Sequence, residues 1–590
     1  MNMKAKYILN GVLVAVMIML ASCSDFFEQD SEHVTFTDNM HLNSPSDTIY
    51  SLVGIMNKMQ ALGDRTILLG EVRGDLVDVT NTASADIRGL AQFDIDDDNI
   101  YNSPREYYAV INNCNLYIAK ADTMLKNNRN QKVFIREYAA VKAYRAWTYL
   151  QLAINYGRVP FYTEPLLTKE QIDATYERKD IVDLCNWLVN DIAPLANEEY
   201  PVLGNFGVTD SRFLYFPINI VLGDLNLWAG NYKQAALAYY KAITSANGPN
   251  SFYPISSNRV RWNGNGTWNL TVDSWSYLPA SESYQSNREL ITMIAGDSIP
   301  SDGNYSELRY LFNSMPENDY EVSLVPSQAI RNISAAQVYC EVTEGGDTIY
   351  APRNLTKNQS GDLRLSATWS LRENLSYNDK RVDMQRITKH QTRNIHIYRR
   401  AMLYLRLAEA LNRAGYPRFA YQILASGVND KVIANTVLPY CSTATDSAFV
   451  NQFSFPGTSN SGYQVVDLSI PSQTYNTIGL HSRGSGWSQA NAYYQMPDDS
   501  TLNAADRLAY QIDEVEKMIV DEGALELAFE GTRYYDLMRV ALRRNDPSFL
   551  ANRIYNRRGA DRATEMKAEI KKDLMDIKNW FLNWNDKIGY

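Results

Sequence analysis

Residues able to do chemistry are sparse along this 590-residue chain, and they do not fall into the short patterns that chemistry requires. The five histidines, His33, His41, His390, His396 and His481, form no HExxH or comparable metal-ligand spacing. Asp94, Asp96 and Asp98 open like a calcium loop, but Asn99 stands where glycine makes the turn and Arg105 where a bidentate Glu is needed. A solvated acidic loop is the expectation there. Gly264-Asn265-Gly266-Thr267-Trp268-Asn269 lacks the third glycine and the strand-then-helix setting of a dinucleotide site, and neither a Walker loop nor a GxSxG elbow is present. Cys114, Cys185, Cys340 and Cys441 show no CxxC spacing. Cys114 and Cys185 fall on apolar helix faces, which suits buried free thiols, so no disulfide is expected. The reading is a protein without metal, cofactor or recognisable catalytic group. What stands out is aromatic: 40 Tyr, 18 Phe and 10 Trp, with Trp262, Trp268, Trp275, Trp369 and Trp487 in irregular stretches. A formal charge of −10 disfavours broad attraction to nucleic acid phosphates.

The elements that would position these residues are mostly helices. Ser103-Pro104-Arg105-Glu106 reads as a capping box with Pro at the first helical position, followed by a stripe of Tyr107, Val110, Ile111, Cys114, Ile118, Ala121 and Leu125. A second long helix is predicted from about Val133 to Tyr156, stopped by Gly157 and Pro160. Ile181 to Ala193, Phe213 to Trp228 and Tyr232 to Ser245 are helical in pattern. Leu222 to Ile243 resembles a tetratricopeptide repeat, with Gly230 at the turn, Tyr232 packed on it, and Ala235 and Ala236 allowing close helix approach. Similar pieces recur at Tyr398 to Ala414 and Phe419 to Ala425. The expected fold is mainly α, a tetratricopeptide-like helical scaffold over about 40–247 and 395–590. Loop-rich insertions occupy about 248–394 and 427–503, with only short strands such as Glu289 to Ile294 and Gln337 to Val342. Long irregular segments of this kind usually carry function.

The first 22 residues read as a signal peptide. Lys4 and Lys6 precede an apolar run from Val12 to Ala21 that is too short to span a bilayer. Leu20-Ala21-Ser22-Cys23 resembles a lipobox, which makes Cys23 the acylated first residue of the mature chain. Several acyl chains on one cysteine hold a protein on a membrane stably, at about 0.8 kcal/mol per buried methylene. Loss of Lys4 and Lys6 takes the formal charge from −10 to −12. The acidic run Ser24-Asp25-Phe26-Phe27-Glu28-Gln29-Asp30 resembles surface-export signals of outer-membrane lipoproteins.

Four segments together resemble the SusD/RagB family of outer-membrane nutrient-binding lipoproteins. They are Cys23 to Phe27; Glu71-Val72-Arg73-Gly74-Asp75 followed by the helix carrying Ile111, Asn112 and Asn115; Glu137 to Pro160; and the paired stretches Tyr404 to Asn412 and Glu526 to Arg533, with Asp536, Leu537 and Arg539. The ending Asn585 to Tyr590 departs from the Pro-rich tail common in that family. Arg406, Glu409, Glu526, Glu530, Arg533 and Asp536 read physically as structural ion pairs where helices meet, and Arg73-Gly74-Asp75 as a turn.

The resemblance implies a lipid-anchored protein on the outer face of the outer membrane. It would bind an oligosaccharide and deliver it to a SusC-like TonB-dependent transporter, without catalysis. Sugar rings present C–H faces that pack on Trp or Tyr, while their hydroxyls need polar partners. The candidate contacts are Trp262, Trp268, Trp275, Tyr277, Trp369 and Trp487, with Tyr101, Asn102, Asp75 and Arg88 as polar neighbours. A peptide-binding relative, a surface hydrolase and a scaffold that recognises only its partner protein remain open alternatives.

Overall fold

A computed structural model describes residues 45–206, 209–245, 259–262, 268–271, 289–296, 306–337, 340–342, 348–350, 362–377, 380–425, 427–455, 479–481, 484 and 494–583. Helices α1 (Pro45–Gln60) and α2 (Gly63–Glu71) open the fold, followed by strand β1 (Val77–Val79) and α3 (Ala85–Gln92). Ser84 caps α3 by accepting from the Ile87 N–H. Helix α4 (Pro104–Lys120) starts at the expected proline, but the Ser103 side chain makes no capping bond, so proline geometry sets this N-terminus without a capping box. Helix α5 (Ile135–Tyr156) ends at Gly157, whose φ of 75° and close contact with the Phe581 ring both require glycine.

Helix α6 (Ile181–Ile192) is capped by Asp180. The helix expected over Phe213 to Trp228 is divided: a short 3-10 turn covers Ser211–Leu214, and α7 (Ile218–Ala229) begins only after Pro217. Proline cannot donate to the ladder, and it biases Phe216 away from helical geometry. Gly230 then turns the chain with φ of 82° into α8 (Tyr232–Thr244). Ala235 and Ala236 are buried as expected, but the tightest approach between α7 and α8 is at Gly223, where a Cβ would lie 2.4 Å from the Tyr239 ring.

The first insertion holds more sheet than its composition indicated. Strands β2 (Arg259–Trp262) and β3 (Trp268–Thr271) form a hairpin, and β4 (Leu290–Ile294) lies farther on. β5 (Leu324–Pro326) pairs antiparallel with β1, so the insertion is stitched into the start of the fold. Helix α9 (Gln328–Ala335) follows, then the hairpin of β6 (Cys340–Val342) and β7 (Thr348–Tyr350). The longest hairpin joins β8 (Trp369–Tyr377) to β9 (Lys380–Ile387), with a bulge between Arg372 and Leu375. Strand β10 (Ile395–Arg399) pairs with β4 and runs directly into α10 (Arg400–Arg413). The helix expected from Tyr398 therefore starts two residues late, because Tyr398 belongs to the sheet.

Helices α11 (Pro417–Ala425), α12 (Ala504–Leu527), α13 (Arg533–Arg544) and α14 (Ser548–Tyr555) complete the scaffold. Successive helices pack in series, α4 on α5, α5 on α6, α6 on α7, α7 on α8, α8 on α10, and α10 on α11 and α12. This serial stacking of helix pairs gives the mainly helical, tetratricopeptide-like architecture expected from sequence, around a core that runs from Leu52 to Leu582. Cys114 and Cys185 are fully buried free thiols within it. Among the described residues, no helix is long and apolar enough to cross a membrane.

Candidate functional site

The polar residues of the recurring sequence segments are spent on holding elements together. Arg533, first residue of α13, donates from Nε and Nη2 to the two oxygens of Asp75 at 2.6 and 2.9 Å. Arg73 lies 4.2 Å from the Tyr534 ring centre and donates to Asn155 Oδ1 at 2.6 Å. Arg399, at the end of β10, donates to both Glu530 oxygens and to Glu526, while Arg539 forks onto Glu409 at 2.9 and 2.6 Å. Arg406 pairs with Asp224, and Asp536 with Arg539. Burial alone would raise Glu409 and Glu530. The adjacent cations outweigh it, Arg413 and Arg539 for Glu409, Arg399 and Lys389 for Glu530, and both carboxyls sit at about 2. These groups bind helices, as the sequence reading anticipated, and Arg73 and Asp75 are too deeply buried to form an adhesive loop.

The ten candidate ligand contacts do not gather into one site among the described residues. Trp275, Tyr277 and Trp487 lie outside those residues, as does Cys23. Trp262 and Trp268 face each other as the last pair of the β2–β3 hairpin, and only their backbone is described. Four candidates are corrected by burial. Trp369 is 2% exposed, covered by Arg331 at 4.6 Å, and its indole N–H is taken by Gln385. Asp75 is neutralised by Arg533. Asn102 accepts from the Tyr156 hydroxyl at 3.1 Å and donates to the Asp96 carbonyl, and its neighbour Tyr101 is also buried. Arg88 is exposed, but its Nη1 holds the Ala83 carbonyl of its own loop. Asp94, Asp96 and Asp98 are exposed, in keeping with a solvated loop. His390 stacks on Phe312 with its Nε2 at 2.8 Å from the Phe529 carbonyl, which makes it a packing residue.

A concave site opens instead on the β8–β9 hairpin. Its cavity is about 390 Å³, walled by Arg309, Asn313 to Met315, and His390 and Gln391. Ser370 pairs with Arg386 and Arg372 with Met384, so these four share one face of the hairpin and line the cavity. The bulge adds one residue to β8, which brings Tyr377, opposite Lys380, onto that same face. Tyr377 is exposed and meets Tyr320 edge-on with ring centres 4.4 Å apart. A second cavity of about 260 Å³, between α1, α5 and β4, is lined mainly by Met56, Met59, Phe206, Phe216 and Met293, and no charged side chain lines it. The hairpin site, with three arginines in its walls, is suited to a polar ligand.

Sequence reasoning missed Arg309, Arg372 and Arg386. The available signal was the alternation of Trp369 and Leu371, and of Gln385 and Ile387, with exposed residues, which marks a half-buried hairpin within a stretch otherwise read as irregular.

No family model and no curated protein matches the chain. Solved structures do. A SusD superfamily protein from Bacteroides vulgatus aligns over 92% of this chain and 96% of its own, at 14% identity and a TM-score of 0.57. A second, from Bacteroides thetaiotaomicron, covers 91% and 95% at 15% identity and a TM-score of 0.54. A Bacteroides vulgatus protein provisionally described as sugar binding covers 85% and 87% at 17% identity and a TM-score of 0.50. The chain has the SusD-like fold.

Proposed function

We propose that this protein is an outer-membrane lipoprotein, anchored through Cys23 and facing the cell exterior, that binds oligosaccharide and delivers it to a SusC-like TonB-dependent transporter. The observation that carries the reading is the SusD-like fold along 92% of the chain. The lipobox at Cys23 and the similarity to a protein provisionally described as sugar binding support it. A binding role is favoured over hydrolysis because Glu409, Glu516, Glu522, Glu526, Glu530 and Asp536 are committed to arginines. The hairpin offers what a sugar needs: exposed Tyr377 for C–H faces, and side-chain donors for oxygens.

Calorimetric titration of the purified protein with panels of oligosaccharides and of peptides tests the reading. Saturable binding of at least one glycan is expected, together with co-purification of a barrel transporter from native membranes. Binding confined to peptides, or steady release of shortened glycan products, would overturn it.

A further inference from the structure

The hairpin cavity is rich in donors. Three guanidiniums, Arg309, Arg372 and Arg386, line it, no carboxylate does, and among the described residues none of the three is ion-paired. This is unusual in a chain whose acids outnumber its bases by 67 to 57. Four side-chain acceptors of the cavity are already committed within the protein. Asn313 Oδ1 takes the Ile387 N–H at 2.6 Å, and Gln385 Oε1 takes the Trp369 indole N–H at 3.2 Å. Ser314 Oγ takes the Gln385 N–H at 3.0 Å, and Gln391 Oε1 takes an Arg386 N–H at 2.6 Å. His390 lines the cavity as a neutral ring, its pKa lowered to about 4 by burial.

Much of the remaining capacity is donating. Arg309 Nε and Gln391 Nε2 are shielded from solvent and have no acceptor among the described residues. Arg372 and Arg386 are exposed and reach the same cavity from one strand face. A donor left without an acceptor in a partly desolvated site is costly, and a carboxylate or sulfate oxygen is the acceptor that guanidinium geometry matches best.

Resting on the glycan-binding reading above, we infer that this cavity is a subsite for the anionic group of an acidic glycan, a uronate carboxylate or a sugar sulfate, with exposed Tyr377 farther along the same hairpin face for a sugar ring. Arg372→Gln and Arg386→Gln, singly and together, remove charge from exposed positions. Titrations compare an oligogalacturonate, a sulfated galactan oligosaccharide and neutral galactan oligomers of equal length, at low and high salt. The uronate and sulfate arms distinguish the two anion sources. The expected result is salt-sensitive binding of an acidic oligosaccharide, weakened by about tenfold or more in the double variant, since a hydrogen bond to a charged group carries about that discrimination. Neutral oligomers binding as well as acidic ones, with no effect of either substitution, would overturn the subsite and leave the glycan reading standing. Binding of acidic peptides alone, lost in the double variant, would overturn the glycan reading together with it.

Discussion

Glu71 closes α2 with Oε1 accepting the Gly531 N–H at 2.8 Å, and it is fully buried. Burial pushes its carboxyl up to about 8, so the folded protein holds a proton there that the unfolded chain releases above pH ~4.3. The contribution is therefore fully present below that value and is lost as pH rises towards 8. Glu71→Gln keeps an acceptor for Gly531 and removes the ionisation. The variant is expected to exceed the parent in stability at pH 8, on the order of 2 kcal/mol, with the difference vanishing in mild acid, as read by denaturant midpoints. The sequence marked Arg406, Glu409, Glu526, Glu530, Arg533 and Asp536 as structural ion pairs where helices meet. It gave no sign of Arg364, which binds Asp362, Glu522 and Glu526 at once, because two of its three partners are more than 150 positions away.

Where α2 crosses the turn between α12 and α13, two glycines meet. A Cβ on Gly70 would lie 1.8 Å from the Gly531 carbonyl oxygen, and Gly531 itself adopts φ of 80°. Gly70→Ala is expected to cost about 3 kcal/mol or more, because backbone must move to admit the methyl group. Gly54→Ala in α1 is the control. Its Cβ would meet nothing within 4 Å, so it is expected to be neutral or to stabilise by up to ~1 kcal/mol, with thermal melts comparing the two. Helices were legible because caps, prolines and apolar steps are local signals. The β8–β9 hairpin was not, because its turn lacks a strong Asn-Gly or Asp-Gly signature and its register is set by packing, with Trp369 and Ile387 turned into the core.

Across the whole molecule, the pH dependence has two opposing parts. Glu71, and Asp64 raised to about 6 by burial, favour folding as pH falls from 8. His390 and His396, lowered to about 4 by burial, stay neutral when folded and charge near 6.5 when unfolded, so their contribution is lost as pH falls from 6.5 through 4. Glu409 and Glu530, held at about 2 by their cations against the burial effect, contribute fully above the unfolded value of ~4.3 and lose that contribution as pH falls towards 2. The thermal midpoint is expected to vary little between mild acid and neutrality and to drop steeply below about pH 4, measured by circular dichroism. A flat profile to pH 2 would remove the ion pairs from the account. By itself, the sequence determined the helical scaffold and the residues that staple helices, because periodicity, caps and short motifs act over one or two turns. Only the tertiary structure decided which polar residues are free for a ligand. Burial withdrew Asp75, Asn102 and Trp369, and the packing of a short helix, Leu308–Phe312, against two paired strands assembled Arg309, Arg372 and Arg386 around one cavity. Whether a side chain is satisfied by the protein depends on partners tens to hundreds of positions away, and no local pattern records them.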